Sequence, residues 1–228
     1  MKRSRVNAIV EGAEEFVASL GFRLPPFAYW TPEYMQAHRG EIGSIIDAEL
    51  GWDITDYGQG RFDELGLVLF TIRNGDARDL ARGQGRLYAE KIMISRLGQL
   101  APMHRHGLKA EDIINRGGGV LALKLYASSP DGVIDREAEV TVPVDGLTRR
   151  LPPGGILRLE PGESVSLLPG VWHAFWAEGA DTLIGEVSTV NDDHADNVFV
   201  EPLARFSELI EDCPPRRLLV SDYPGWLA

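Results

Sequence analysis

The chain has 228 residues, 44% hydrophobic and 25% charged, which suits one large globular domain with a sizeable core. Its formal net charge of −11 argues against a nucleic-acid partner, because phosphates require a basic surface, and favours a small molecule. No apolar run is long enough for a membrane span or a signal peptide, and the single cysteine, Cys213, cannot form an internal disulfide. These features predict a cytoplasmic protein with no membrane partner.

The first 50 residues are predicted to be mostly helical. Apolar residues recur at helical spacing over 5–20, and Gly21 can end that helix. Thr31 precedes a proline and is a suitable cap for a second helix, and a third helical pattern follows Gly40. This extension is expected to pack outside a β core or against a second subunit.

The middle of the chain, residues 51–190, is predicted to form that β core. Short apolar segments alternate with Gly/Pro turns, which is typical of an antiparallel sandwich or barrel. The strands are predicted at 67–73, 88–97, 120–126, 139–143, 155–159, 164–168, 172–176 and 182–187. Residues 191–228 would belong to the same single domain as a C-terminal segment that completes its candidate site, with a helical stretch at 207–212. On composition alone, the Asn/Asp-rich segment that opens this region is a solvated loop.

Two histidines, His104 and His106, are separated by one residue. On an extended strand that spacing directs both imidazoles to one face. Glu111 follows across a predicted turn, and His173 is a further candidate. Imidazoles with one carboxylate suit Mn²⁺, Fe²⁺, Zn²⁺ or Co²⁺ and leave positions open for water or substrate.

The glycines around these residues are spaced as in a known family. The chain resembles the cupin family in two motifs. Residues that match the first motif are Gly98, His104, His106, Glu111 and Gly118, and those that match the second are Gly162, Pro169, Gly170 and His173. The second motif departs from the pattern, because Pro169 abuts Gly170 and Ala177 stands where an Asn is expected. The resemblance implies a mainly β cupin fold, a double-stranded β-helix or jelly-roll barrel with the N-terminal helices outside it.

A longer string narrows the resemblance. Residues 109–119, Lys-Ala-Glu-Asp-Ile-Ile-Asn-Arg-Gly-Gly-Gly, resemble the signature of the D-lyxose ketol-isomerases, a cupin family of sugar isomerases. The C-terminal segments Asn191-Asp192-Asp193, Glu201-Pro202-x-x-Arg205-Phe206 and Arg217-Leu218-Leu219 also resemble that family. One departure is Gly107, where a bulky aromatic residue is expected, so the sugar preference stays open.

The resemblance implies an aldose–ketose isomerase that interconverts D-lyxose and D-xylulose, and also D-mannose and D-fructose, by proton transfer through an enediol. A divalent metal, expected to be Mn²⁺ with Zn²⁺, Co²⁺ or Fe²⁺ as alternatives, would be held by His104, His106, Glu111 and His173. The proton transfers would be shared by Lys109 and Glu201, and the sugar hydroxyls bound by Lys91, Asp192 and Arg217. A homodimer is also expected.

Two alternatives remain open from the sequence. A different metal-cupin enzyme, such as an iron dioxygenase or a decarboxylase, could use the same four ligands. A non-catalytic sugar-binding cupin is disfavoured, because such sensors usually carry a basic DNA-binding segment and this chain is acidic. The sequence leaves open the role of His194 and which of Lys109 and Glu201 acts on carbon.

Overall fold

The N-terminal region is helical in the computed structural model, which describes residues 1–192, 195–204 and 207–227. Helix α1 spans Arg3–Ser19, a 3-10 turn Pro26–Tyr29, α2 Pro32–Ala37 and α3 Gly43–Asp47. As predicted, α1 ends before Gly21, which adopts the left-handed φ of +75° that glycine tolerates. The α2 cap is also as predicted, since the backbone N–H of Tyr34 donates to Thr31 Oγ1 at 3.2 Å.

The rest of the described chain is mainly antiparallel β-sheet. The strands are β1 Gly51–Thr55, β2 Leu67–Arg73, β3 Tyr88–Ser95, β4 Leu100–His106, β5 Glu111–Tyr126, β6 Val140–Val144, β7 Leu147–Leu151, β8 Ile156–Leu159, β9 Ser164–Leu167, β10 Trp172–Thr189 and β11 Asn197–Phe199. Short helices α4 (Ala77–Arg82) and α5 (Tyr223–Trp226) complete the described elements, with a 3-10 turn at Val220–Asp222. Hydrogen-bonded neighbours follow the order β1-β2-β3-β10-β5-β9-β6-β7, with β4 on β10, β8 on β5 and β11 on β4.

Two long strands, β5 and β10, close the sheet into the predicted cupin barrel. They pair along most of their length, with a shift in register between Glu178 and Thr182. Beyond that shift β10 pairs with β3, and before it β10 pairs with β4. Gly118 lies at the bend with φ +97°, and a Cβ there would lie 2.1 Å from the carbonyl oxygen of Asp181. The close backbone approach therefore requires glycine.

Apolar side chains lie on both faces of the β1-β2-β3-β10 part of the sheet. Those on the outer face, including Phe70 and Ile92, pack against the buried stripe of α1 that contains Val6 and Val10. Those on the inner face form the barrel core with residues such as Leu123. Each such side chain contributes roughly 1.5–3 kcal/mol when buried, so the helix is fixed outside the barrel by packing.

The C-terminal segment differs from its prediction. Residues 207–212 are not helical but run alongside the start of α1, where Arg3 N–H donates to Ile210 O at 2.9 Å and Ile210 N–H to Met1 O at 2.8 Å. These bonds to the other terminus take the place of local helical ones. Strands β1, β7 and β11 and helix α4 were not predicted, and the stretches 172–176 and 182–187 are one strand. The division into segments 1–50, 51–190 and 191–228 of one domain stays a prediction.

Within residues 1–192, 195–204 and 207–227, no helix has both the length and the apolar character needed to cross a bilayer.

Candidate active site

Three histidines from two paired strands meet inside the barrel. His104 and His106 lie on β4, and His173 lies on β10 directly opposite His104 in the register. Their candidate ligand nitrogens all lie within 4.8 Å of one another. The alternation of side chains along β4 explains why His104 and His106 face the same cavity.

Hydrogen bonds orient two of these imidazoles. His104 Nδ1 lies 2.8 Å from the carbonyl oxygen of Pro102, and His173 Nδ1 lies 3.1 Å from that of Val171. A carbonyl can only accept, so Nδ1 carries the proton and Nε2 presents a lone pair. Burial and the two neighbouring histidines hold the pKa of His104 well below its usual range. His104 is therefore neutral, the form that binds metals.

Glu111, the first residue of β5, completes the group. Its Oε1 lies 3.2 Å from Nε2 of His173 and 3.4 Å from Nε2 of His106. Within the described residues this buried oxygen has no hydrogen-bond donor. Burial is the largest influence on the pKa of Glu111 and would raise it, but Lys109, His106 and His173 together outweigh burial and keep that pKa well below its usual range. A buried carboxylate oxygen that faces imidazole lone pairs fits a bound divalent cation.

Lys109 lies between two buried carboxylates. Its Nζ is 2.7 Å from Glu111 Oε2, 2.9 Å from Glu186 Oε1 and 3.5 Å from Asn191 Oδ1. Glu186 lies on β10 opposite Lys91 of β3, and all four charged side chains are buried. Two ammonium groups thus accompany two carboxylates beside the histidines, as buried charges require.

Glu186 is not among the site residues predicted from the sequence. It lies in the predicted strand 182–187 at an inward-facing position, two residues from the fully buried Ile184 and two from the buried Ser188. A charged residue on the inward face of an otherwise apolar strand is the signal that could have identified it.

These groups line one cavity that is partly open to solvent. Its polar lining comprises Thr55, Lys91, His104, His106, Lys109, Glu111, His173, Glu186 and Asn197. Its apolar lining comprises Tyr57, Leu67, Leu69, Met93, Ile113, Phe175 and Phe199. A lining of both polar and apolar side chains suits a small polyol, whose hydroxyl groups need polar partners and whose C–H groups do not.

Other predicted site residues lie elsewhere. Glu201 is exposed and is not among the residues that line the cavity, although Phe199, two residues earlier, is. Asp192 lines a separate surface cavity, together with Asn191. Arg217 donates through Nε to Glu14 of α1 at 2.8 Å. Asp193, Arg205 and Phe206, which carried part of the resemblance, fall outside the described residues, as does His194, whose role the sequence leaves open.

Comparisons with known proteins agree closely with one another. The family model described as D-lyxose isomerase matches residues 1–223. A D-lyxose/D-mannose isomerase of Serratia proteamaculans is 46% identical over 232 residues, covering 100% of both chains. A protein of the same name from Escherichia coli O157:H7 is 44% identical over 98% of both chains.

Solved structures support the fold. The L-ribose isomerase of Acinetobacter sp. DL28, in complex with L-ribose, superposes with a TM-score of 0.62 at 14% identity, over 92% of this chain and 98% of that one. The L-ribose isomerase of Cellulomonas parahominis with L-psicose gives a TM-score of 0.58 at 16% identity, with the same coverage. At these identities the likeness extends to the fold alone.

Proposed function

Because the chain belongs to the D-lyxose isomerase family, we propose that it interconverts D-lyxose with D-xylulose and D-mannose with D-fructose. The observation that carries this proposal, beyond the relatives, is the cavity in which three imidazoles, two carboxylates and two ammonium groups converge. An aldose–ketose isomerisation needs groups that hold two adjacent oxygens and groups that move a proton between carbons.

His104, His106, Glu111 and His173 are the proposed metal ligands, and Mn²⁺ is the proposed ion, with Zn²⁺, Co²⁺ or Fe²⁺ as alternatives. The donor-free Oε1 of Glu111 supports this assignment. A divalent cation there would supply Lewis-acid polarisation of the sugar oxygens. The chain's own part is to orient His104 and His173 through the carbonyls of Pro102 and Val171.

Lys109 and a carboxylate are proposed to move the protons. The base removes a proton from one carbon and returns it to the neighbouring carbon, while the acid protonates and deprotonates the adjacent oxygens. The 2.9 Å contact between Lys109 Nζ and Glu186 Oε1 supports Glu186 as the partner. Glu201 is the second candidate, supported by the resemblance of its segment to the family. The reaction is balanced whether Lys109 acts with Glu186 or with Glu201, because the enzyme ends the reaction with the same number of protons as it began.

Lys91 is proposed to bind a sugar hydroxyl, which its place in the cavity lining supports. Asp192 and Arg217 are proposed for the same role on the resemblance alone. A homodimer is proposed on the family resemblance and the N-terminal helical extension, and a cytoplasmic location on the single cysteine, Cys213, which fits a reducing compartment. Light scattering at micromolar concentration would refute the dimer by giving the mass of a single chain.

Incubation of metal-loaded protein with a panel of aldoses and ketoses in D₂O tests the proposal. D-lyxose and D-mannose should be converted. Deuterium should appear at C1 or C2 of the product when the residue that carries the proton exchanges it with solvent. The control is the same protein after chelation and dialysis. Conversion of neither sugar would refute the proposed function.

A further inference from the structure

One carboxylate holds the loop between the proposed ligand His106 and Lys109. Asp196 Oδ1 accepts from the backbone N–H of Gly107 at 2.9 Å and of Leu108 at 2.8 Å, and its Oδ2 accepts from that of Lys109 at 2.8 Å. Three consecutive amides thus converge on a single side chain. Because this carboxylate is an anion, such hydrogen bonds are short and strong.

Burial fixes Lys109 at one end of this loop but not the tip, where Leu108 is 83% exposed. The flanking residues are anchored, since Gly170 N–H donates to His106 O at 2.9 Å and Thr189 N–H donates to Ala110 O at 3.0 Å. Between these anchors, the three amides that bond to Asp196 determine the path of the backbone that carries Lys109.

Gly107 permits this arrangement. A Cβ at Gly107 would lie 3.1 Å from Asp196 Oδ1, close enough that one of the two would shift by a few tenths of an ångström. The residue that departs from the expected bulky aromatic is thus in contact with the carboxylate. The absence of a side chain at Gly107 therefore leaves room for the carboxylate of Asp196.

Asp196 also precedes β11 directly. That strand pairs with β4, with Asn197 opposite His106 and Phe199 opposite His104. Asn197 and Phe199 line the cavity. The same carboxylate therefore links the loop that carries Lys109 to the segment that forms one cavity wall.

We propose that Asp196 is a positioning residue that holds Lys109 Nζ at its working distance from Glu111 and Glu186. This inference rests on the proposed function, in which Lys109 moves a proton. Small displacements of a catalytic group cost much rate, about 10²-fold for 1 Å. Loss of Asp196 should therefore lower kcat and leave sugar binding nearly intact.

The test compares Asp196→Ala with Asp196→Asn. Asparagine keeps an acceptor oxygen for Gly107 and Leu108 but presents an amide donor to the N–H of Lys109. We expect kcat to fall about 10-fold for Asn and about 100-fold for Ala, with KM and bound metal changed less than about 3-fold. The matched control is Asp212→Ala, which removes a carboxylate that accepts from the Ser4 backbone N–H at 2.8 Å, far along the chain from the cavity lining.

A double-mutant cycle adds a readout that a merely structural role would not give. Gly107→Ala should lower kcat about 3- to 10-fold by displacing the carboxylate, and should have no further effect once Asp196 is alanine. Additive losses would overturn the proposal, as would a kcat of Asp196→Ala within about 3-fold of wild type.

Amide hydrogen exchange of residues 107–109 separates this proposal from the proposed function. Exchange should speed up in Asp196→Ala and stay unchanged in Asp212→Ala, whether or not any sugar is turned over. A wild-type protein inactive on all sugars would refute the proposed function, and with it the effect of Asp196 on turnover. Unchanged exchange at 107–109 in an active enzyme would refute the loop-holding role alone.

Discussion

The ammonium of Lys109 and the carboxylates of Glu111 and Glu186 form a buried charge cluster in which the charges compensate one another. Removing one member leaves the others uncompensated in a medium that solvates charge poorly. Variants that keep shape and change only proton affinity are therefore the informative ones.

Glu186→Gln should lower kcat by about 10²–10⁴-fold, the usual contribution of a positioned general base, because an amide cannot accept the proton. Glu201→Gln is its matched comparison, the same change at an exposed residue outside the cavity lining. Steady-state kinetics at saturating sugar and metal measure both. A larger loss in Glu201→Gln would make Glu201 the partner of Lys109 and leave Glu186 a structural role.

His104→Ala and His173→Ala should each lose bound metal and activity while the fold survives. The barrel interior is filled by aliphatic side chains such as Leu121 and Leu123, which need no ion in order to pack. Elemental analysis and far-UV circular dichroism measure the two effects, with His38→Ala, a histidine outside the cavity lining, as control. An unfolded variant would show that the metal is structural.

Residue spacing predicted that His104 and His106 would share a face, because alternation along a strand is a local property. The contact between Lys109 and Glu186 could not be predicted in this way. It depends on how β10 is aligned with β3 and β5, and register is determined by pairing across the sheet. The exposed position of Glu201 likewise could not be predicted from local residue spacing.

At the level of elements, strands β5 and β10 determine the shape of the barrel. The sequence indicated shorter strands, because glycines near 117–119 and 179 interrupt the apolar pattern. In the fold these glycines mark bends within continuous strands. A glycine that interrupts an apolar pattern can therefore mark either the end of a strand or a bend within it. Only the pairing partners of the strand distinguish the two cases.

Gly118→Ala should destabilise the protein by more than about 1 kcal/mol, since alanine is strained at a left-handed φ and its Cβ would meet the carbonyl of Asp181. Gly40→Ala is the control, because its Cβ meets nothing within 4 Å and its φ is not in that region. Urea unfolding midpoints measure the difference. Equal midpoints for the two variants would mean that the bend at Gly118 is not under close steric constraint.

At the level of the whole molecule, the two ends of the chain are joined. The fully buried guanidinium of Arg3 binds Asp222 Oδ1 at 2.6 Å and Glu211 Oε1 at 2.6 Å. Burial by itself would lower the pKa of Arg3, but the bonds to Glu211 and Asp222 outweigh it and raise that pKa. The mainly β class could be predicted from regular strand spacing, but this junction could not, because no local pattern pairs residue 3 with residue 222.

Arg3→Met should destabilise the fold by about 3–5 kcal/mol, because Asp222, 8% exposed, would lose its buried partner. Arg5→Met is the matched control, since Arg5 pairs with Asp63 at the surface, where such pairs contribute about 0–1 kcal/mol. Urea unfolding at neutral pH measures both. Similar losses in the two variants would contradict a special contribution of the buried junction.

That difference should also depend on pH. The hydrogen bond from Arg3 lowers the pKa of Glu211 from its ordinary value of 4.5. A carboxyl group with a lower pKa in the folded state adds stability above its unfolded pKa, and this is lost as the pH falls through the folded value. The gap between wild type and Arg3→Met should therefore narrow in acid, by a small amount because Glu211 is half exposed. A gap that widens in acid would contradict this sign.

The junction at Arg3 also constrains the order in which the protein is assembled during translation. Its partners lie 208 and 219 residues further along the chain, so the first helix to leave the ribosome is among the last to be locked in place. Until then the nascent chain carries an unmatched charge beside the apolar stripe of α1. A prematurely terminated product would keep that stripe exposed, and chaperones and proteases recognise such surfaces in incomplete proteins.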